Sequence, residues 1–126
     1  MRRGTIILTR FPFTDLSSSK RRPAVIISNV SPTKPDVIVA FISSVIPGKL
    51  SKTDYLLDVD HKKFLKIGLR KKSVFKMDKL ATLNKSIFSG ELGNLPTEIL
   101  WELEKKLKIA LSLNRAESEL EGKGTS

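Results

Sequence analysis

For its first ninety residues the chain carries its apolar residues in short, β-branched runs between turn signals, and after Pro96 the period switches once, to the three-and-four spacing of a helix. No apolar run exceeds six residues, the longest being 37–42, far short of the roughly 20 that span a bilayer. The 126 residues suit one domain, because two would have to fold from about 60 each, near the lower limit for a lone hydrophobic core. One small β-rich body closed by one helix is the architecture this pattern allows.

The runs can be placed one by one. Thr5-Ile6-Ile7-Leu8-Thr9-Arg10 follows Gly4 and suits a strand, and Ala24-Val25-Ile26-Ile27-Ser28 reads as a strand covered on both faces. Residues 37–43 form the strongest candidate strand, 55–59 a further one, and 73–83 alternates only loosely. Gly90, Gly93 and Asn94 read as a break. Pro96 then falls where a first helical turn accepts it, with Glu98 placed for the helix dipole. The spacing predicts a helix over about 96–114 whose buried stripe is Leu100, Leu103, Leu107, Ala110 and Leu111, with Trp101 and Ile109 off it. The expectation is a mainly β (β+α) fold, a small, strongly bent SH3-like barrel of about five to seven short strands with the helix packed across it. Residues 1–114 would form this single domain and 115–126 a polar, frayed tail.

Composition removes several kinds of chemistry. The absence of Cys excludes a disulfide framework, a zinc ribbon and a thiol nucleophile, and a single His excludes a histidine acid–base pair or a three-histidine metal site. Arg2 and Arg3 follow Met1, but the apolar stretch behind them is too short for a signal peptide, so a cytoplasmic domain is expected. Charge is segregated. Residues 1–90 hold 18 Lys and Arg against six Asp, a balance of +12, whereas residues 91–126 hold five bases against seven Glu, a balance of −2. A positive field of this size favours a polyanion, either nucleic acid or an acidic protein segment.

Two short stretches stand out. Arg22 precedes Pro23, which biases it toward an extended backbone at a strand mouth, where a guanidinium can offer a rigid fork of donors to a phosphate; Lys20 and Arg21 add charge beside it. A solvated basic loop is the alternative. Ser43 and Ser44 stand at the exit of the buried strand, where hydroxyls can reach a ligand or simply serve a turn. Lys62, Lys63, Lys66, Arg70, Lys71 and Lys72 form the densest basic cluster, able to steer RNA or merely to be solvated. Phe11 and Phe13 could stack on bases or pack under their loop. His61 reads as a surface-loop residue, Asp58 and Asp60 as too few ligands for a metal, and Trp101 as an interface candidate.

Taken together, Gly4 with Ile6-Ile7, the polar loop, Arg22-Pro23, the run 24–28, and the strand 37–42 followed by a hydroxyl resemble PemK/MazF-type toxins of bacterial toxin–antitoxin modules. Residues 73–85 and the late helix fit the same layout, so the resemblance extends to about Leu113. It implies a dimerising SH3-like barrel that cuts single-stranded RNA without cofactor or metal, and an acidic antitoxin that covers the basic groove. It also implies catalytic roles for Arg22 and Ser43, with Ser44 the substitute if the register slips by one, and RNA contacts from Phe11, Phe13, Lys20, Arg21, Lys71 and Lys72. Two departures are visible: the loop before Arg22 lacks a glutamate, and position 43 is Ser where the family usually has Thr. CcdB-type toxins, which share the barrel but bind DNA gyrase, and a non-catalytic nucleic-acid binder are the competing readings. The polar C-terminus and the Arg-Pro pair favour the ribonuclease.

Overall fold

The β-branched runs become strands of one antiparallel sheet in the computed structural model, which describes residues 1–10 and 20–113. The elements are β1 (Thr5–Arg10), β2 (Arg21–Ile26), β3 (Asp36–Ser43), β4 (Asp54–Leu57), a one-turn helix α1 (Phe64–Ile67), β5 (Ser73–Asn84), β6 (Gly90–Asn94) and α2 (Thr97–Ala110). The six strands run in the order β4-β5-β3-β2-β1-β6, curled into half a barrel beneath α2. Among the described residues β4 and β6 are its two edges.

The loose alternation of residues 73–83 has a geometric cause. Ala40 pairs with Leu80, but the next residue, Phe41, pairs with Lys76, so residues 77–79 are extra on β5. An insertion of this kind bends a strand and increases its twist, and it breaks the two-residue period on either side.

Apolar side chains fill both faces of the sheet. Ile6, Val25, Ala40, Ile42, Phe75 and Met77 meet Phe64 and Ile67 of α1 and Ile99 and Leu103 of α2 on one face. Ile7, Ala24, Ile26, Val37, Val39 and Phe41 cluster on the other. This two-sided burial is why the middle strands read as continuous apolar runs. Tyr55 of β4 meets Phe75 edge-on at 6.1 Å between ring centres. Burial, reinforced by the Glu102 carboxylate, raises its phenol pKa above the ordinary value.

The helix differs from expectation at both ends. Pro96 is its cap rather than its first turn, with ψ at 155°, and its carbonyl accepts the N–H groups of Ile99 and Leu100. Ile99 and Leu103 are the buried residues of α2, each burial contributing roughly 1.5–3 kcal/mol. Leu100 and Leu107 pack alongside them, but Leu111 lies past the last turn and is 49% exposed. Trp101, off the stripe, is 61% exposed. Arg3 ties the helix to the start of the chain: it donates to Glu104 at 2.7 Å and to the Ile27 carbonyl at 2.9 Å. No helix among the described residues is long and apolar enough to cross a membrane. The expected tail, 115–126, lies outside the described residues.

Candidate active site

Strand alternation sorts the candidate residues onto two faces. Leu8 pairs with Pro23 and Thr9 with Arg22 across β1 and β2, while Ala24 pairs with Phe41 across β2 and β3. Two residues beyond that last pair, Arg22 on β2 and Ser43 on β3 project from the same face as Ala24 and Phe41. Arg21, Pro23 and Ile42 project from the opposite face.

The β2–β3 ladder stops at this point because of Pro23. The Leu8 carbonyl accepts from Ser89 N–H, on the β6 side, so the Leu8–Pro23 pair is a non-hydrogen-bonded one. The backbone of Pro23 therefore faces β3, where proline has no N–H to give. The β2–β3 register begins at Ala24, leaving Arg22 and Ser43 on either side of a notch at the strand ends. The Ser43 hydroxyl accepts the Val45 N–H at 3.1 Å and makes only a long contact, 3.4 Å, to the Val45 carbonyl. One lone pair is thus fixed by the turn, and its proton can be redirected to a ligand at little cost.

Beside the notch lies a cavity of about 500 Å³. Its floor is apolar, made by Leu8, Pro23, Ile42, Leu69 and Leu92. Its rim carries Lys20, Arg21, Arg22, Arg70 and Lys71, together with Ser44 and Ser73. No Asp or Glu among the described residues lines it. Among the described residues no ion pair engages Arg21, Arg70 or Lys71. Such a rim concentrates positive potential in a concave site, which is how a polyanion is drawn in.

The loop bearing Arg70 and Lys71 is held at both ends. Gly68 closes α1 at φ 86°, and a Cβ there would collide with the Leu92 carbonyl; a Cβ on Gly93 would collide with the Ile67 carbonyl. Only paired glycines allow α1 and β6 to approach backbone to backbone. At the other end the buried Ser73 donates its hydroxyl proton to the Lys71 carbonyl at 2.8 Å.

Of the sequence-derived site residues, Arg22, Lys20, Arg21, Lys71 and Ser44 line the cavity, and Ser43 flanks the notch beside it. Lys72 does not join them: it is paired with Asp58 at 3.5 Å. The physical reason is alternation, since the residue after Lys71 turns away toward the loop after β4. Phe11 and Phe13 lie outside the described residues. Arg70 was visible only as one of six clustered bases, and the apolar floor carried no sequence signal, because Leu8 and Leu92 look like any strand residue. His61 accepts the Lys63 N–H in its own loop, away from the cavity.

Comparison with known proteins agrees with this picture. A family model described as PemK-like, MazF-like toxin of type II toxin-antitoxin system matches residues 2–111. No curated protein sequence matches the chain. Among solved structures, an endoribonuclease in complex with its cognate antitoxin from a mycobacterial species is similar at TM-score 0.72 and 17% identity, over 92% of this chain and 99% of that one. The Mycobacterium tuberculosis toxin MazF-mt6 is similar at TM-score 0.69 and 22% identity, over 88% and 99% of the two chains. A MazE–MazF structure from Deinococcus radiodurans gives 0.66 and 19%, over 88% and 94%. At these identities the structural likeness is one of fold.

Proposed function

Because this chain belongs to the PemK-like, MazF-like toxin family of type II toxin–antitoxin systems, we propose that it is the toxin of such a module and an endoribonuclease that cuts single-stranded RNA. The observation that carries this reading is the placement of Arg22 and Ser43 on one face at the end of the β2–β3 ladder, beside a cation-rimmed cavity that no carboxylate lines among the described residues.

The chemistry asks little of the protein. A ribose 2′-OH attacks the adjacent phosphorus; the new P–O2′ bond forms as the P–O5′ bond breaks, giving a 2′,3′-cyclic phosphate and a 5′-OH end. The 2′ proton leaves to solvent and the 5′ oxygen takes one back. The protein's part is to align the strand and to stabilise the charge that grows on the phosphoryl oxygens. Arg22 supplies a forked cationic donor and Ser43 a neutral one. The reaction needs no protein nucleophile and no metal, in keeping with a chain that has one His and no Cys.

The partners follow from the same surface. A disordered acidic antitoxin segment lies along the basic rim and blocks RNA by competition, and two copies of the toxin associate as a homodimer. We read residues 1–114 as the barrel domain, 115–126 as its tail, and the cytoplasm, where RNA is translated, as its place of action.

Incubating the protein with single-stranded RNA in EDTA tests the reading. Cleavage should persist, and the products should carry cyclic phosphates at one end and kinase-labelled 5′-OH groups at the other. Loss of cleavage in EDTA would overturn this mechanism, and a salt-sensitive gel shift without cleavage would identify a non-catalytic binder instead.

A further inference from the structure

We infer that the cavity beside the Arg22–Ser43 notch receives one nucleobase of the substrate strand and selects a base with a carbonyl at the 4 or 6 position, uracil or guanine, over one with an amino group there, cytosine or adenine. The inference rests on the ribonuclease reading above and adds to it the chemical class of base that reading leaves open.

Position comes first. Arg21 and Arg22 are consecutive on β2 and both line the cavity rim. A strand crossing the notch with one phosphate at Arg22 has a neighbouring base within reach of the cavity. The volume, about 500 Å³, admits a purine or a pyrimidine with its sugar. The floor of Leu8, Pro23, Ile42, Leu69 and Leu92 is apolar, as the face of a planar ring requires.

Selectivity comes from the rim. Lys and Arg are donors only, with no acceptor to offer. Arg21, Arg70 and Lys71 stand on that rim without ion-pair partners among the described residues, where no Asp, Glu, Asn or Gln side chain lines the cavity and Ser44 adds a single hydroxyl. The Ser73 hydroxyl has spent its proton on the Lys71 carbonyl, which fixes the loop rather than reading a base. A uracil O4, or a guanine O6 with N7, can accept from these groups, as in the bidentate pairing of Arg or Lys with guanine. The amino group at N4 of cytosine or N6 of adenine, itself a donor, would meet a rim whose only neutral acceptors among the described side chains are the Ser44 and Ser73 hydroxyls, and the cations facing it would gain no partner. The Gly68 and Gly93 contact anchors the start of the Arg70–Lys71 loop against β6, so the backbone that carries these donors stays beside the cavity.

The experiment uses strands that cannot be cut. Fluorescence anisotropy at fixed salt would compare oligodeoxyuridine with oligodeoxycytidine, and oligodeoxyinosine with oligodeoxyadenosine, each pair matched in size and lacking the 2′-OH nucleophile. The keto member of each pair should bind about ten-fold tighter or more, the discrimination of one good donor–acceptor pairing. The double variant Arg70→Ala, Lys71→Ala should shrink that ratio several-fold more than it weakens binding of the amino-bearing strand. Equal affinities within each pair, or tighter binding of oligodeoxycytidine or oligodeoxyadenosine, would overturn the inference, whether or not RNA is cleaved. Keto preference in a protein that fails to cleave RNA would uphold the cavity assignment while removing the ribonuclease reading.

Discussion

In the proposed mechanism a guanidinium and a hydroxyl divide the labour at the notch, and single substitutions should separate their roles from those of their neighbours. Arg22→Ala removes the charged donor at the phosphoryl oxygens and should lower the single-turnover cleavage rate roughly 10²–10³-fold, the usual cost of losing one oxyanion donor. Ser43→Ala should act on the same step, whereas Ser44→Ala, which alters only the cavity wall, should raise KM and leave kcat close to that of the parent. Rapid-quench kinetics on each purified, folded variant decides the matter; a Ser44→Ala that fell in kcat while Ser43→Ala did not would exchange the two assignments. At this scale the sequence was informative where chemistry is tied to residue type. Arg22, Arg21, Lys71 and the serine pair could be singled out because charge and hydroxyls after an apolar strand are visible in one dimension. Lys72 could not be separated from Lys71 without knowing which side of the loop each takes.

Among the elements, the strands with β-branched residues were legible and β6 was not. Gly90–Asn94 reads Gly-Glu-Leu-Gly-Asn, a composition that signals a turn, yet it pairs with β1 along Thr5, Ile6, Ile7 and Leu8. Tertiary packing overrides propensity here, because the glycine that weakens the strand is the one that lets the α1 backbone close on it. The four-residue α1 was hidden for a similar reason: too short to show a period, it sits in what looked like a basic loop. Gly93→Ala forces the two backbones apart and should destabilise the fold by about 1–3 kcal/mol, as overpacking does. Urea titration measures that loss. A variant with wild-type stability would show that the contact yields without strain. Since the Arg70–Lys71 loop hangs from the same contact, the surviving folded fraction of Gly93→Ala should also bind RNA more weakly.

The molecule as a whole carries its charge where its cavity is. Single-stranded nucleic acid loses affinity with salt at a log–log slope of about −0.7 per phosphate neutralised. Replacing Arg22, the side chain assigned to a phosphate, with Gln should therefore flatten the slope for a non-cleavable strand by about 0.7. An unchanged slope would place the strand elsewhere on the surface. The same topology has a bearing on how this protein is made. Its first strand finds one of its neighbours only in β6, the walls of its cavity include Leu92, and its core is completed by Ile99 and Leu103 beside Ile6 and Val25. Contacts so distant along the chain form late, and a domain folds as a unit during synthesis. The sheet that carries the candidate site therefore has its core completed only when α2, late in the chain, packs against it.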